Sequence, residues 1–255
     1  MNILVMGVDA PSELGIKGPL AIRMIRIDFS RKTAGVFAFP RDLWLPIAGL
    51  ESYGITQARL GESYLIARSN AGMSTAAATN LVAQNLYKNF GVLSDHYITG
   101  KLTSLAAMID SVGGILVNIP VAYDGTPWHG HYFPAGPYSM TGTLALEYSM
   151  SRSVPGQWTA MDRQSQVLLA LFQKIFSPET LTKIPSLIPQ FLQAMTTDLT
   201  LQQASDLICI FQEIPKEKIT ISGVGPNDVT YGASGVLYPN FDVIRAKIQQ
   251  FLNPA

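Results

Sequence analysis

Cysteine occurs once in the 255 residues, so no intramolecular disulfide forms, and no Cys/His spacing reads as a zinc site. Cys209 lies in the apolar run Leu207-Ile208-Cys209-Ile210-Phe211 and is expected to be a buried core thiol. A lone cysteine permits an oxidising compartment without requiring one. Charge is scarce too: Asp, Glu, Lys and Arg supply 14% of the chain, against roughly a quarter in an average soluble domain. Basic and acidic side chains balance at 18 each. The surplus of Lys and Arg that phosphate-backbone binding needs is missing, which disfavours a nucleic-acid partner. No uncharged apolar run reaches the roughly 18 residues of a membrane-spanning helix. The phosphate loops GxGxxG and GxxxxGK[ST] are absent, and so is the nucleophile elbow GxSxG.

What remains is apolar. Hydrophobic residues make up 47% of the chain, which excludes a disordered protein. So little charge implies either an unusually large buried volume or an apolar cavity that must be lined. Asn2-Ile3-Leu4-Val5-Met6-Gly7-Val8 reads as a strand from the second residue, without a basic leader or cleavage site. A chain that starts inside its first strand is expected to have been trimmed of an anchor or signal. Residues 22–27 and 35–39 form a second and third strand around the turn residues 28–33, a hairpin by pattern. The stretch 43–73 shows no sustained period and is expected to be a long loop with short structured pieces. Ser74 caps a predicted helix to about residue 89. Leu102, Leu105, Ala106, Ile109 and Val112 share one face of another, which stops at Gly113-Gly114. A strand is expected over 115–119, a loop or hairpin over 123–138, and a short helix from Thr141 to Tyr148. Beyond them, a long helix carries Gln164, Val167, Leu168, Leu171, Phe172 and Ile175 on one face. Helices near 178–194, 200–213 and 240–252 and a strand at 219–224 complete the pattern. Strands and helices intermix throughout, so residues 1–255 are expected to form a single α/β domain of α-β-α layers.

Arginines stand at the ends of elements. Arg41 follows the strand ending Phe39-Pro40, at the sheet edge where open α/β sheets bind ligands. Arg152 leaves a helix into a loop, and Arg163-Gln164 open the next helix, where free backbone N–H groups add to side-chain donors. Asp9 sits at the mouth of the first loop. His129 and His131 lie two apart and read as a solvated pair.

In order, Asn2–Asp9, Phe39-Pro40-Arg41-Asp42, Asp95-His96-Tyr97, Asp110-Ser111-Val112-Gly113-Gly114-Ile115, Pro134-Ala135-Gly136, Thr141-Gly142-Thr143-Leu144-Ala145-Leu146-Glu147-Tyr148 and Arg163-Gln164-Ser165-Gln166 resemble the landmarks of the LytR-CpsA-Psr family, also labelled cell envelope-related transcriptional attenuator. The resemblance covers nearly the whole chain. It implies a central mixed β-sheet flanked by helices, with an apolar pocket for a polyprenyl tail. It also implies an extracytoplasmic domain anchored to the cell membrane by an N-terminal helix. The implied activity is phosphotransfer: a glycopolymer on polyprenyl pyrophosphate moves to peptidoglycan, and polyprenyl phosphate leaves. By resemblance Arg41 and Arg152 are catalytic, Arg59, Arg163 and Gln164 bind phosphate or substrate, and Asp9 holds Mg²⁺ or Mn²⁺.

Departures from the family pattern fall at functional places. Where the family carries a second aspartate this chain has Leu20, an arginine position holds Met150, and the first arginine before Arg163-Gln164 is Ala160. A hard divalent ion depends on such oxygens. Arg23 and Arg26 could supply replacement charge, but strand alternation turns them to opposite faces. Three readings follow: an active transferase, a non-catalytic binder of polyprenyl phosphate in wall assembly, or an envelope interaction domain with another ligand.

Overall fold

A computed structural model describes residues 1–8, 18–150 and 157–254, apart from the side chains of Trp128, His129, Gln157 and Ile184. Two compact units emerge, Met1–Gly100 with Met195–Ala255, and Lys101–Ala194. The first runs through β1 (Asn2–Val8), β2 (Pro19–Asp28), β3 (Thr33–Phe39), β4 (Trp44–Pro46), β5 (Gln57–Arg59), α1 (Leu60–Ser69), α2 (Thr75–Phe90) and β6 (His96–Lys101). The second holds α3 (Leu102–Ser111), β7 (Ile115–Ile119), β8 (Tyr123–Asp124), α4 (Thr126–His129), β9 (Tyr132–Phe133), β10 (Gly136–Met140), α5 (Gly142–Met150), α6 (Gln157–Ile175), α7 (Pro178–Leu181) and α8 (Ile184–Ala194). The chain then returns to the first with β11 (Met195–Thr197), α9 (Leu201–Gln212), β12 (Ile219–Gly223), β13 (Val229–Tyr231), β14 (Leu237–Pro239) and α10 (Phe241–Leu252).

The first unit is built on a mixed sheet of order β11-β6-β1-β2-β3-β12, flanked by helices, as the sequence led us to expect. β1, β2 and β3 pair antiparallel, and β12 joins β3 in parallel. Alternation divides their side chains between two faces. Leu4, Met6, Ile22, Met24, Phe37 and Phe39 share one face and are fully buried. α2 and α10 cover it: Phe90 stacks on Phe39 at 6.0 Å and Phe251 tilts onto Phe37 at 5.5 Å between ring centroids. α2 is fixed at its start by Ser74, whose side chain accepts from the Ala77 N–H, and at its end by Gly91 in the left-handed region at φ 75°.

The stretch 43–73 is more ordered than its composition suggests. β4 pairs with β5, and α1 follows at once. Its buried residues, Leu60, Gly61, Ser63, Tyr64 and Ala67, do follow a helical period. Two of them are glycine and serine, so a search for large apolar residues passes over the helix. Gly61 is required there, since a Cβ would come within 3.1 Å of the Arg41 Cβ. From α2, Asn85 exchanges two hydrogen bonds with the Ala48 backbone and Asn89 donates to the Pro46 carbonyl. These buried amides hold the stretch as strand–helix structure.

In the second unit β7 and β10 pair antiparallel. Ile109, Val117, Phe133, Tyr148, Val167 and Leu171 lie in its core. The expected loop over 123–138 contains the short β8–β9 pair. Asp110 Oδ1 accepts the Gly142 N–H at 2.8 Å, which ties the end of α3 to the start of α5. Cys209 is a correction: it is exposed, on a helix with no fully buried residue. The apolar run around it faces partly outward instead of forming core. Among the described residues no helix is long and apolar enough to cross a membrane.

A Cβ on Gly142 would overlap the Ala106 backbone carbonyl. Gly142→Ala is therefore expected to cost ~3 kcal/mol or more, because two backbones must part. Thr143→Ala, at the exposed neighbouring position, should stay within ~0.5 kcal/mol. Denaturant unfolding of the two variants checks this.

Candidate functional site

Register places the residues of the sheet edge. Val8 pairs with Pro19 and Ile22 with Phe39, so the end of β1, the start of β2 and the end of β3 reach one sheet edge. Asp9 follows directly from that edge but lies outside the described residues. Leu20 stands on β2 beside it, half-buried. Arg41 is carried just past β3, and its backbone anchors α1: the Gly61 N–H donates to the Arg41 carbonyl at 2.8 Å, and the Leu60 N–H to that of Leu43 at 2.8 Å.

Asp42 lies between two guanidinium groups, its Oδ1 3.7 Å from Arg41 Nε and 3.8 Å from Arg59 Nε. Arg59 is held further by Glu62 Oε1 at 2.8 Å and by the Ser234 carbonyl at 2.7 Å. Arg59 thus has two nitrogens bonded, while its Nε lacks a hydrogen-bond acceptor among the described residues. The two arginines are alike in exposure, at 24% of the side chain for Arg41 and 23% for Arg59. Glu62 and the Ser234 carbonyl were invisible as partners in the sequence, because the carbonyl comes from a turn 175 residues away. Asp42 lay within a quoted motif, but its bridging role needs the strand end and α1 together.

Arg23 and Arg26 divide as alternation requires. Arg23 is 4% exposed on the face of Val5 and Ala38, its NH1 donating to the Ile22 carbonyl at 3.1 Å. Arg26 lies on the other face, opposite Gly35.

A separate cluster belongs to the other unit. Arg163 and Gln164 both turn toward the last carbonyls of α5. Arg163 Nε donates to the Tyr148 carbonyl at 2.6 Å, and Gln164 Nε2 to that of Ser149 at 3.4 Å. Helix carbonyls at a C-terminus lack partners and favour a cation. The Arg163 guanidinium also lies 4.2 Å from the Tyr123 ring centroid and is 5% exposed. Burial lowers its pKa, with the neighbouring Tyr123 acting against that shift. Tyr148 donates to Gln166 Oε1 at 2.5 Å, and burial pushes its phenol up to about 12. Ala160 is buried on α6, and Met150 is the last residue of α5. Arg152 lies outside the described residues. His131 is exposed, at 47% of its side chain, with its Nδ1 2.6 Å from Glu147 Oε2, and the side chain of His129 lies outside the described ones.

Among the described residues the first edge offers no group of three potential ligands for a hard divalent ion. Leu20 supplies no oxygen, and Asp42 lies against two arginines. Mg²⁺ is commonly held by one or two carboxylates together with substrate phosphates, so Asp9 would need phosphate oxygens beside it to hold one.

Arg163→Ala is expected to cost ~3 kcal/mol, from a desolvated cation–π contact and a lost charged hydrogen bond. The folded Tyr148 phenol keeps its proton above the ordinary tyrosine value of 10.0. Stability should therefore fall as pH rises from that value towards about 12, where the folded phenol ionises. Tyr148→Phe should remove the latest step in a phenolate absorbance titration.

Comparison with known proteins accords with this arrangement. A polyisoprenyl-teichoic acid–peptidoglycan teichoic acid transferase, TagV of Bacillus subtilis (strain 168), is 24% identical over 99% of this chain. The chain spans 64% of that relative's length. The crystal structure of B. subtilis TagV superposes with a TM-score of 0.78 at 22% identity, covering 100% of this chain and 98% of that one. TagT bound to LI-WTA superposes with a TM-score of 0.73 at 17% identity, covering 99% and 90%. The fold is thus shared with these structures, and the family model LytR_cpsA_psr matches residues 1–250. The chain belongs to the LytR-CpsA-Psr family.

Proposed function

We propose that this protein acts at the cell envelope on a glycopolymer carried by a polyprenyl pyrophosphate and transfers it to peptidoglycan. One observation carries the reading most directly: Arg41 stands at the sheet edge reached by β1, β2 and β3, braced by Asp42 and by the start of α1. In this reading an acceptor hydroxyl of peptidoglycan attacks the phosphorus next to the glycopolymer. The bond to the bridging oxygen breaks, and polyprenyl phosphate departs with the charge. Arg41 stabilises that charge, and family resemblance gives Arg152 the same task. Preorganised donors of this kind are each worth several kcal/mol of barrier.

Arg59 acts as an indirect support in this scheme, its donors holding Glu62 and Ser234 in place. Arg163 and Gln164 cap α5, the helix that Arg152 follows in sequence. The prenyl tail would lie on apolar surface such as that of α9, whose Leu207, Ile208, Ile210 and Phe211 are only partly buried. An N-terminal membrane anchor preceding Met1 belongs to the same proposal. Family likeness suggests Mg²⁺ or Mn²⁺, but the donors near Leu20 do not support one, and no step above passes through an ion.

A second reading, a non-catalytic polyprenyl-phosphate binder, is favoured by Leu20 itself. The two part in a transfer assay with a radiolabelled lipid-linked glycopolymer and peptidoglycan. The transferase reading expects label in peptidoglycan and a loss of at least ~100-fold in Arg41→Ala. Absence of transfer by the wild type, with lipid binding intact, would establish the binder instead. Leu20→Asp should raise Mn²⁺ affinity measured by titration calorimetry, since it supplies the missing oxygen ligand.

A further inference from the structure

β12 is the last strand of the sheet, and α10 leaves part of it uncovered. Between them runs a cleft of about 590 Å³. Its floor follows from register. Arg26 lies opposite Gly35, and Gly35 opposite Thr220, so these three form one row; Phe37 and Ser222 form the next. Gly35 is needed because a Cβ there would come within 2.9 Å of the Phe251 ring. α10 overhangs the rows with Lys247, Gln250 and Phe251, spaced by three and four along the helix, and Pro254 follows its end. This is the α2/α10 face of the sheet, and Gly35 lies six residues before Arg41, about 20 Å along an extended chain.

The charge in the cleft has one sign. Arg26, Lys218 and Lys247 line it, together with the hydroxyls of Thr220 and Ser222, and no lining residue is acidic. Lys218 is exposed and makes no ion pair among the described residues. Arg26 Nε is buried without an acceptor. Its other nitrogens reach Asn2 Oδ1 at 3.5 Å and Asp28 Oδ2 at 3.8 Å, both long contacts. Asp28 Oδ1 accepts from Ser30 and Arg31, hydrogen bonds that together with Arg26 beside Oδ2 hold its carboxyl below the usual range. Lys247 donates to Asp228 Oδ2 at 2.5 Å, and an ammonium has two further protons to give. In a chain of zero net charge, three cations around a hydroxyl-lined cleft form a local anion site. The guanidinium and ammonium donors with adjacent hydroxyls suit a phosphate oxygen cluster.

We propose that this cleft binds phosphate groups along a phosphodiester-containing glycopolymer, holding a length of the donor polymer away from the Arg41 edge. The identity of the polymer rests on the proposed function; the affinity for phosphate does not. The Phe251 and Pro254 surface would lie against the polyol or sugar carbons between phosphates.

The test uses the whole chain in an Arg41→Ala background, which removes the transfer edge as a competing phosphate site. A fluorescent glycerol-phosphate oligomer is the probe, and its anisotropy is read at two salt concentrations. We expect binding that weakens with salt, about tenfold weaker in Lys218→Glu and weaker again with Arg26→Gln added. Lys218 lies on an exposed turn, so its variant should melt like the parent and carries the test alone if Arg26→Gln disturbs the fold. No binding by the parent, equal binding by Lys218→Glu, or equal binding of a neutral glycan of the same length would each overturn the proposal. Lys218-dependent binding in a protein that transfers nothing would sustain the cleft while counting against the transferase reading.

Discussion

The antiparallel register of β1, β2 and β3 is the constraint on which the Arg41 edge depends. With Val8 opposite Pro19 and Ile22 opposite Phe39, the chain must leave β1, enter β2 and leave β3 at one edge. A one-residue slip would turn every side chain to the other face. The buried Phe37 and Phe39 under α2 and α10 make such a slip costly. The hydrophobic core therefore fixes where Arg41 emerges. α1 completes the arrangement, because Gly61 lets its first turn meet the Arg41 backbone.

Scarcity of charge shapes the rest. With so few ionic groups, single side chains serve as structural joints. Asp42 sits between two arginines, and Arg163 is buried against Tyr123 while bonded to a helix-end carbonyl. Removing one partner from such a joint leaves a buried group unsatisfied, which costs more than an exposed pair would. Arg41 and Arg59 differ from Arg163 because about a quarter of each side chain remains accessible. That exposure separates residues able to meet a substrate from one buried among its neighbours.

Much of this was legible in the residues. Apolar, β-branched runs showed β1 to β3, the Ser74 cap showed α2, helical period showed α3 and α6, and the order of short motifs pointed to the family. α1 was missed because glycine and serine occupy two of its buried positions. Cys209 was misplaced because an apolar run was taken for core, whereas α9 buries none of its residues fully. The motif Arg163-Gln164 suggested a phosphate grip; the carbonyls it engages lie 15 residues earlier, on another helix. Partners so distant in sequence leave no local signal.

The central claim is that this fold carries a polyprenyl-linked substrate. Native mass spectrometry of the protein released intact from bacterial membranes tests it most directly. The account predicts a bound polyprenyl phosphate or pyrophosphate that survives gentle ionisation and is lost on denaturation. Protein that stays empty after incubation with excess polyprenyl pyrophosphate would contradict it.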